Sequence, residues 1–317
     1  MNMVKFRKLA LLMAIVVLGV TVVGCNTNTA ENPVENPVEP VVVTQDDLYK
    51  IVDDFGREVV LDKAPLRIIS LAPSNTEILF ALGLGDKVIG VTSYDDYPAE
   101  ALEVEKIGDF NGINLEKIIE LEPDLVVNYG EGNEEENDRL EEAGINFIGF
   151  EPESIDAVLD TITRIGQLTG TVDEAKALTE DMKLKKDEIL NKIKGTDSKK
   201  VFYEIWHDPL MAAGPGSFID ELMTLVGGDN VAKDADGEYP QFDLEQLVER
   251  NPQVYLTSAD MPEKTPESIA KRPGFENINA MIEGNVYVLD GNIVSRPGPR
   301  IIEALELIAK AIHPEKF

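Results

Sequence analysis

At 317 residues and 43% hydrophobic, the chain can bury a substantial core and is long enough for two medium domains or one bilobed unit. Its 59 acidic against 29 basic residues give a formal charge of −30, and without a basic stripe this excludes nucleic acid and anionic lipid head groups as partners. The single cysteine excludes an intramolecular disulfide framework.

Lys5, Arg7 and Lys8 open the chain, and residues 9–23 then run almost wholly apolar. About 15 residues is too short for a bilayer span of about 20, and it is the length of a signal-peptide core. The segment ends Val22-Val23-Gly24-Cys25, which is similar to the bacterial lipobox, where the cysteine receives lipid and becomes the new N-terminus. Residues 1–25 are therefore expected to be a lipoprotein signal peptide. Lipid on Cys25 would hold the protein to the outer face of the bacterial cell membrane. Residues 26–48 are rich in Asn, Pro, Glu and Thr, with a doubled Glu-Asn-Pro-Val. That composition cannot bury a core, so a disordered tether of roughly 60 Å is expected. Without the three N-terminal cations, the mature chain carries a charge near −33.

Beyond the tether, short apolar strands alternate with helices. Strands are expected at 67–71, 88–91, 124–127 and 144–148. A helix capped by Ser74 or Asn75 and ended by Gly83 and Gly85 follows the first. A second, capped by Asn114, ends at Pro123, and a third runs from Ser154 to Thr169. Residues 171–195 contain one Gly and no Pro and are dense in charge, with apolar residues at Ala175, Leu178, Met182 and Leu190. They read as one long helix connecting two lobes, 49–170 and 196–317; an ordinary long surface helix is the plainer alternative. Strands then recur at 200–205, 254–256 and 286–289. Ser217 and Asp243 cap helices, and a last helix spans Pro299 to Ile312. The pattern implies a parallel α/β architecture.

The two halves repeat each other. Asn114-Leu115-Glu116 leads a short helix that ends before Pro123 and a strand; Asp243-Leu244-Glu245 does the same before Pro252. Two pseudo-symmetric lobes enclose a cleft, a preferred ligand site.

The chain lacks a phosphate-binding Gly-Lys loop and a Gly-x-Ser-x-Gly elbow, and its two histidines, His207 and His313, have no metal-ligand spacing. Asp95 and Asp96 are adjacent acids expected to be solvated turn residues. No catalytic residue, metal site or cofactor is expected. Aromatic residues after strands are more informative, because open α/β sheets bind ligands at those ends. Tyr94, Phe110, Tyr129, Trp206 and Tyr239 occupy such places; each could instead pack over its own lobe. Arg296, in a rigid Pro-Gly-Pro loop, could bind an anionic or amide group, or cap the neighbouring sheet. Glu116 and Glu245 suit the positive ends of their helix dipoles, which explains either one but not the same residue in both lobes.

The stretch 67–91, the Thr92–Pro98 loop, the paired Leu-Glu helices and Arg296-Pro297-Gly298-Pro299-Arg300 resemble the ABC-importer binding proteins for cobalamin, haem and iron siderophores. The resemblance covers 49–317 and is greatest to the vitamin B12-binding branch, through Ser93–Pro98 and Tyr239-Pro240-Gln241. It implies two Rossmann-like lobes joined by one rigid interlobe helix, and a monomer that binds a corrinoid and does no chemistry. It places Tyr94, Phe110, Tyr129 and Tyr239 against the ligand; Trp206 has no aromatic counterpart in the family, and we expect it at the rim, with Arg296 on a polar group. Glu116 and Glu245 would meet arginines of the permease dimer. Phe110 and Tyr239 stand where that branch has tryptophans, and Asn292 where it has an acid. Haem or a ferric siderophore is the alternative ligand, and a corrinoid- or haem-processing surface enzyme the alternative activity.

Overall fold

The first sheet is built from strands too short and too apolar to face water. The computed structural model describes residues 48–109, 112–259 and 264–317; Cys25 and Phe110 lie outside them, as does all of the tether but Leu48. A hairpin of β1 (Lys50–Val52) and β2 (Glu58–Val60) precedes the sheet. Then come β3 (Ile68–Ser70), α1 (Pro73–Ala81), β4 (Val88–Gly90) and a small antiparallel pair, β5 (Gly108–Asp109) with β6 (Gly112–Ile113). α2 (Leu115–Glu120), β7 (Leu125–Tyr129), α3 (Glu134–Glu142), β8 (Asn146–Phe150) and α4 (Ile155–Thr169) complete the unit. β4, β3, β7 and β8 pair in that order, all parallel. Ile68, Leu125, Val127 and Ile148 face one core, and Ile69, Val126 and Phe147 face another. That is the period-two alternation of strands covered on both faces.

The chain then passes through α5 (Val172–Ile193), 22 residues or about 33 Å long, to the second sheet. α5 buries Ala175, Met182, Ile189 and Ile193 along one stripe and packs on α4. A Cβ on Gly166 of α4 would lie 2.4 Å from the Cβ of Ala175, so this close crossing requires glycine.

The second unit comprises β9 (Lys199–His207), β10 (Leu210–Ala212), α6 (Phe218–Leu225), β11 (Gly228–Asn230), α7 (Leu244–Arg250) and β12 (Val254–Ser258). α8 (Pro266–Ala270), α9 (Asn279–Glu283), β13 (Val286–Leu289), α10 (Gly291–Val294) and α11 (Ile301–Ile312) follow. β11, β9, β12 and β13 lie parallel in that order, with β10 as an antiparallel flap on β9. Both sheets thus have strand order 2-1-3-4, the structural form of the sequence repeat. α11 packs on α5, and one continuous apolar core includes residues of both sheets, α5 and α11. A shared core of this kind opposes hinge motion between the sheets.

Asn114, Ser154, Ser217 and Asp243 each accept a backbone N–H as helix caps, as their positions suggest. Ser74 and Asn75 do not cap α1. Pro73 already occupies its first turn, where a missing N–H and fixed φ are favourable, so both residues lie buried inside the helix. The strand expected at 144–148 runs instead from Asn146 to Phe150, because Gly144, with φ of 74°, is still turning out of α3.

Candidate functional site

Tyr129 is the last residue of β7 and pairs with Phe150, the last of β8. Asn128 Nδ2 donates to the carbonyls of Tyr129 (2.9 Å) and Gly130 (3.1 Å), fixing the turn that presents the phenol. Tyr239 comes from the other sheet's side, on a loop held to the backbone near β10. Gly214 N–H donates to the Glu238 carbonyl at 2.7 Å, and Ala212 N–H to the Pro240 carbonyl at 3.0 Å. A Cβ on Gly214 would stand 2.3 Å from the Gly237 carbonyl, so only glycine lets this loop lie so close.

The two phenols share one environment. Burial pushes Tyr129 up to about 12, helped by the charges of Glu151 and Glu153 from its own lobe and by Tyr239 and Glu238 from the other. Burial also raises Tyr239, with Glu238 and Glu153 adding to it. Two tyrosines distant in sequence, one on each sheet's side, thus feel each other's charge, and each is still about 40% or more exposed.

Tyr94 follows β4 in a loop organised by Asp95. That carboxylate is buried and accepts from Thr92 N–H (2.9 Å) and the Thr92 hydroxyl; burial nevertheless raises its pKa. Asp95 is thus a structural acid, not the solvated turn residue expected. Asp96 is not idle either: it accepts from Arg296 Nη1 at 2.6 Å. The remaining partners of Arg296 are Glu77 (3.3 Å), the Tyr94 carbonyl (3.3 Å) and Asn292 Oδ1 (2.8 Å). Asn292 Nδ2 also donates to Asp96 at 3.0 Å. The acid that the resemblance found missing at Asn292 is thus supplied by Asp96, from the other lobe. Arg300 adds a two-pronged contact to Glu77, at 2.9 and 2.6 Å, and stacks 4.0 Å over the Tyr97 ring.

Trp206 is the next-to-last residue of β9, but its indole N–H donates to the Asp208 carbonyl (2.9 Å) within its own hairpin. Glu116 and Glu245 are both exposed in the first turns of α2 and α7, one per lobe. The structure therefore leaves Tyr129 and Tyr239 half-exposed on the sides of different sheets, ties Tyr94 to Arg296, and leaves Trp206 with its hairpin. Sequence reasoning missed Glu77, Glu151, Glu153 and Glu238. A helix interior hides the first, and exposed acids are common in so acidic a chain.

A cavity of about 1030 Å³ lies elsewhere, bordered by Glu77 and Arg300 and floored by Phe80, Met182, Ile189 and Ile302 of α1, α5 and α11. Among the described residues no group of three or more His, Cys, Asp or Glu is placed to hold a metal ion, and no helix is long and apolar enough to cross a membrane.

The periplasmic binding protein family matches residues 68–293. The chain belongs to that family. It is 36% identical, over 97% of its length and 96% of the relative's, to YvrC of Bacillus subtilis, an uncharacterized ABC transporter substrate-binding lipoprotein. It is 30% identical to the vitamin B12-binding protein of Vibrio cholerae, over 76% of this chain and 87% of that one. The crystal structure of the Vibrio cholerae periplasmic vitamin B12-binding protein BtuF superposes with a TM-score of 0.69 at 29% identity, covering 79% of this chain and 97% of that one. The periplasmic haem-binding protein RhuT of Roseiflexus gives 0.71 at 26%, covering 79% and 99%. The two parallel α/β units are thus those of a solute-binding transport protein, in the group of ABC-importer receptors to which B12, haem and iron binders belong.

Proposed function

We propose that this protein is the lipid-anchored, extracytoplasmic receptor of an ABC importer, that it captures a corrinoid between its lobes, and that it hands it to a permease dimer. The observation that carries the reading is the pair Tyr129 and Tyr239, two half-exposed aromatic residues from opposing lobes, Tyr129 at the end of a parallel strand and Tyr239 on a loop held to the backbone near β10. Aromatic faces suit a broad flat ring, and strand ends are where such sheets take ligands. The vitamin B12-binding relatives favour cobalamin within this class.

The test uses residues 43–317, which form one compact unit. Titration with cyanocobalamin, followed by its visible spectrum, should saturate at one equivalent. Tyr129→Ala and Tyr239→Ala should each weaken binding by about 2 kcal/mol, the scale for truncating an aromatic anchor. Wild-type affinity in both variants would move the site elsewhere, and saturation by haem alone would replace the corrinoid with the alternative ligand.

The anchor has its own test. Cys25→Ser should leave the precursor unprocessed or free it from membranes, read by intact mass and fractionation. An unchanged mature mass in an unchanged membrane fraction would rule out lipidation at Cys25.

A further inference from the structure

We infer that the cavity beside α5 is a second binding site, separate from the proposed cleft, and that it takes a small amphiphilic cation: an apolar body bearing an ammonium group. Its volume of about 1030 Å³ is that of a large small-molecule pocket. Three helices build it. α5 forms the floor with Leu178, Met182 and Ile189, α1 adds Phe80, and α11 adds Ile302. All five belong to the main apolar core or pack against it, so the floor stands before a ligand arrives. The Phe80 ring is held at the wall by Gly85, where a Cβ would lie 2.6 Å from the ring's Cε1. Such a floor gains from being covered by hydrocarbon rather than water.

The rim sets the sign of the charge. Its cations are engaged: Arg300 is held by Glu77 at 2.6 Å, Lys185 by Asp181 at 2.7 Å, and Lys192 stands 4.9 Å over the Phe317 ring. Among the described residues, Asp86, Glu100, Glu188 and Glu303 line the same cavity and form no ion pair. They come from four separate segments, so they are not one solvated helix face. Lys185 responds to them: its ammonium is held above the usual range chiefly by the hydrogen bond to Asp181, and Glu303 and Glu188 add to the effect. A ligand anion on this floor would meet unpaired like charges beside an apolar wall. An ammonium there would be attracted by the carboxylates while its hydrocarbon covers the floor.

The probes share one ring: (2-naphthylmethyl)trimethylammonium, 2-naphthylmethanol and 2-naphthylacetate, titrated into residues 43–317 and followed by naphthalene fluorescence. At low ionic strength the cation should saturate at one equivalent and bind about tenfold or more tighter than the acetate. High salt should reduce that ratio below about threefold, because exposed charges are screened. The double variant Glu188→Gln, Glu303→Gln should reduce it likewise and leave the neutral alcohol within about twofold. Leu178→Trp, which fills the floor, should weaken the cation and the alcohol alike by about tenfold or more. Tyr129→Ala and Tyr239→Ala should leave the cation within about twofold, so this site stands or falls apart from the corrinoid cleft. A cation that does not saturate, or a ratio that the glutamine pair leaves unchanged, overturns the site and leaves a solvated acidic groove. Loss of the cation in the tyrosine variants overturns it too, by placing the probe in the cleft. If Leu178→Trp shows no cooperative urea transition, the glutamine pair decides.

Discussion

Replacing Glu77 with alanine should destabilise residues 43–317 by about 3 kcal/mol, because breaking a buried ion pair strands the partner charge. Glu77 lies inside α1 with its side chain 1% exposed, and it is the shared acceptor of Arg296 and Arg300, whose side chains are 13% and 14% exposed. The two arginines reach it from a C-terminal loop seated against α1, where a Cβ on Gly298 would lie 3.2 Å from the Ser74 carbonyl. Without the carboxylate, Arg300 loses both prongs of its contact, while Arg296 retains Asp96. That retained partner places the cost at the low end of the range for buried pairs. Glu77→Gln keeps the shape and one acceptor oxygen and should cost less. The measurement is the urea midpoint at unchanged m value. A loss under about 1 kcal/mol for alanine would mean that solvent reaches the arginines and the brace contributes little.

This brace shows where sequence reading stops. Its partners are 219 and 223 residues apart, and nothing local in α1 marks Glu77 as different from any other helix acid. Arg296 stood out because cations are scarce, but its neighbours were not legible, so its four protein acceptors were not expected. The strands were read more easily, since a short apolar run between turn residues has few other uses; Val286–Leu289 falls where it was expected. α3 was missed. It buries only Leu140 and is supported by the Asn133 cap and three glutamates at its positive end, none of which produces an apolar period. The aromatic positions were visible one by one. How Tyr129 and Tyr239 stand to each other depends on how the sheets are placed across α5 and could not be read from spacing.

The double variant Glu116→Arg, Glu245→Arg should reduce uptake to about one hundredth or less, while cobalamin affinity stays within about twofold, if these residues dock the permease. Each glutamate is the second residue of a helix whose preceding cap, Asn114 or Asp243, accepts a backbone N–H at 3.0 Å from the third. The two helices are therefore held alike, and both glutamates are exposed. The helix dipole alone accounts for an acid at either position and predicts that removing it costs a few tenths of a kcal/mol of stability, without effect on transport. Docking predicts the reverse: intact folding and lost transport. Two acids on lobes that share one core would meet matching sites on a two-fold partner only in a fixed orientation, so each single reversal should also reduce uptake, though less. Reversing a charge at one such contact is expected to cost about 2 kcal/mol, near thirtyfold, and two contacts multiply. The dependence of the wild-type interaction on salt should weaken in the double variant, since charge pairs at a rim act largely through association rate. Labelled cobalamin uptake and calorimetry on the same variants separate the cases. Full transport by the double variant would leave the two glutamates as helix-end residues, and lost ligand affinity would place them in the pocket.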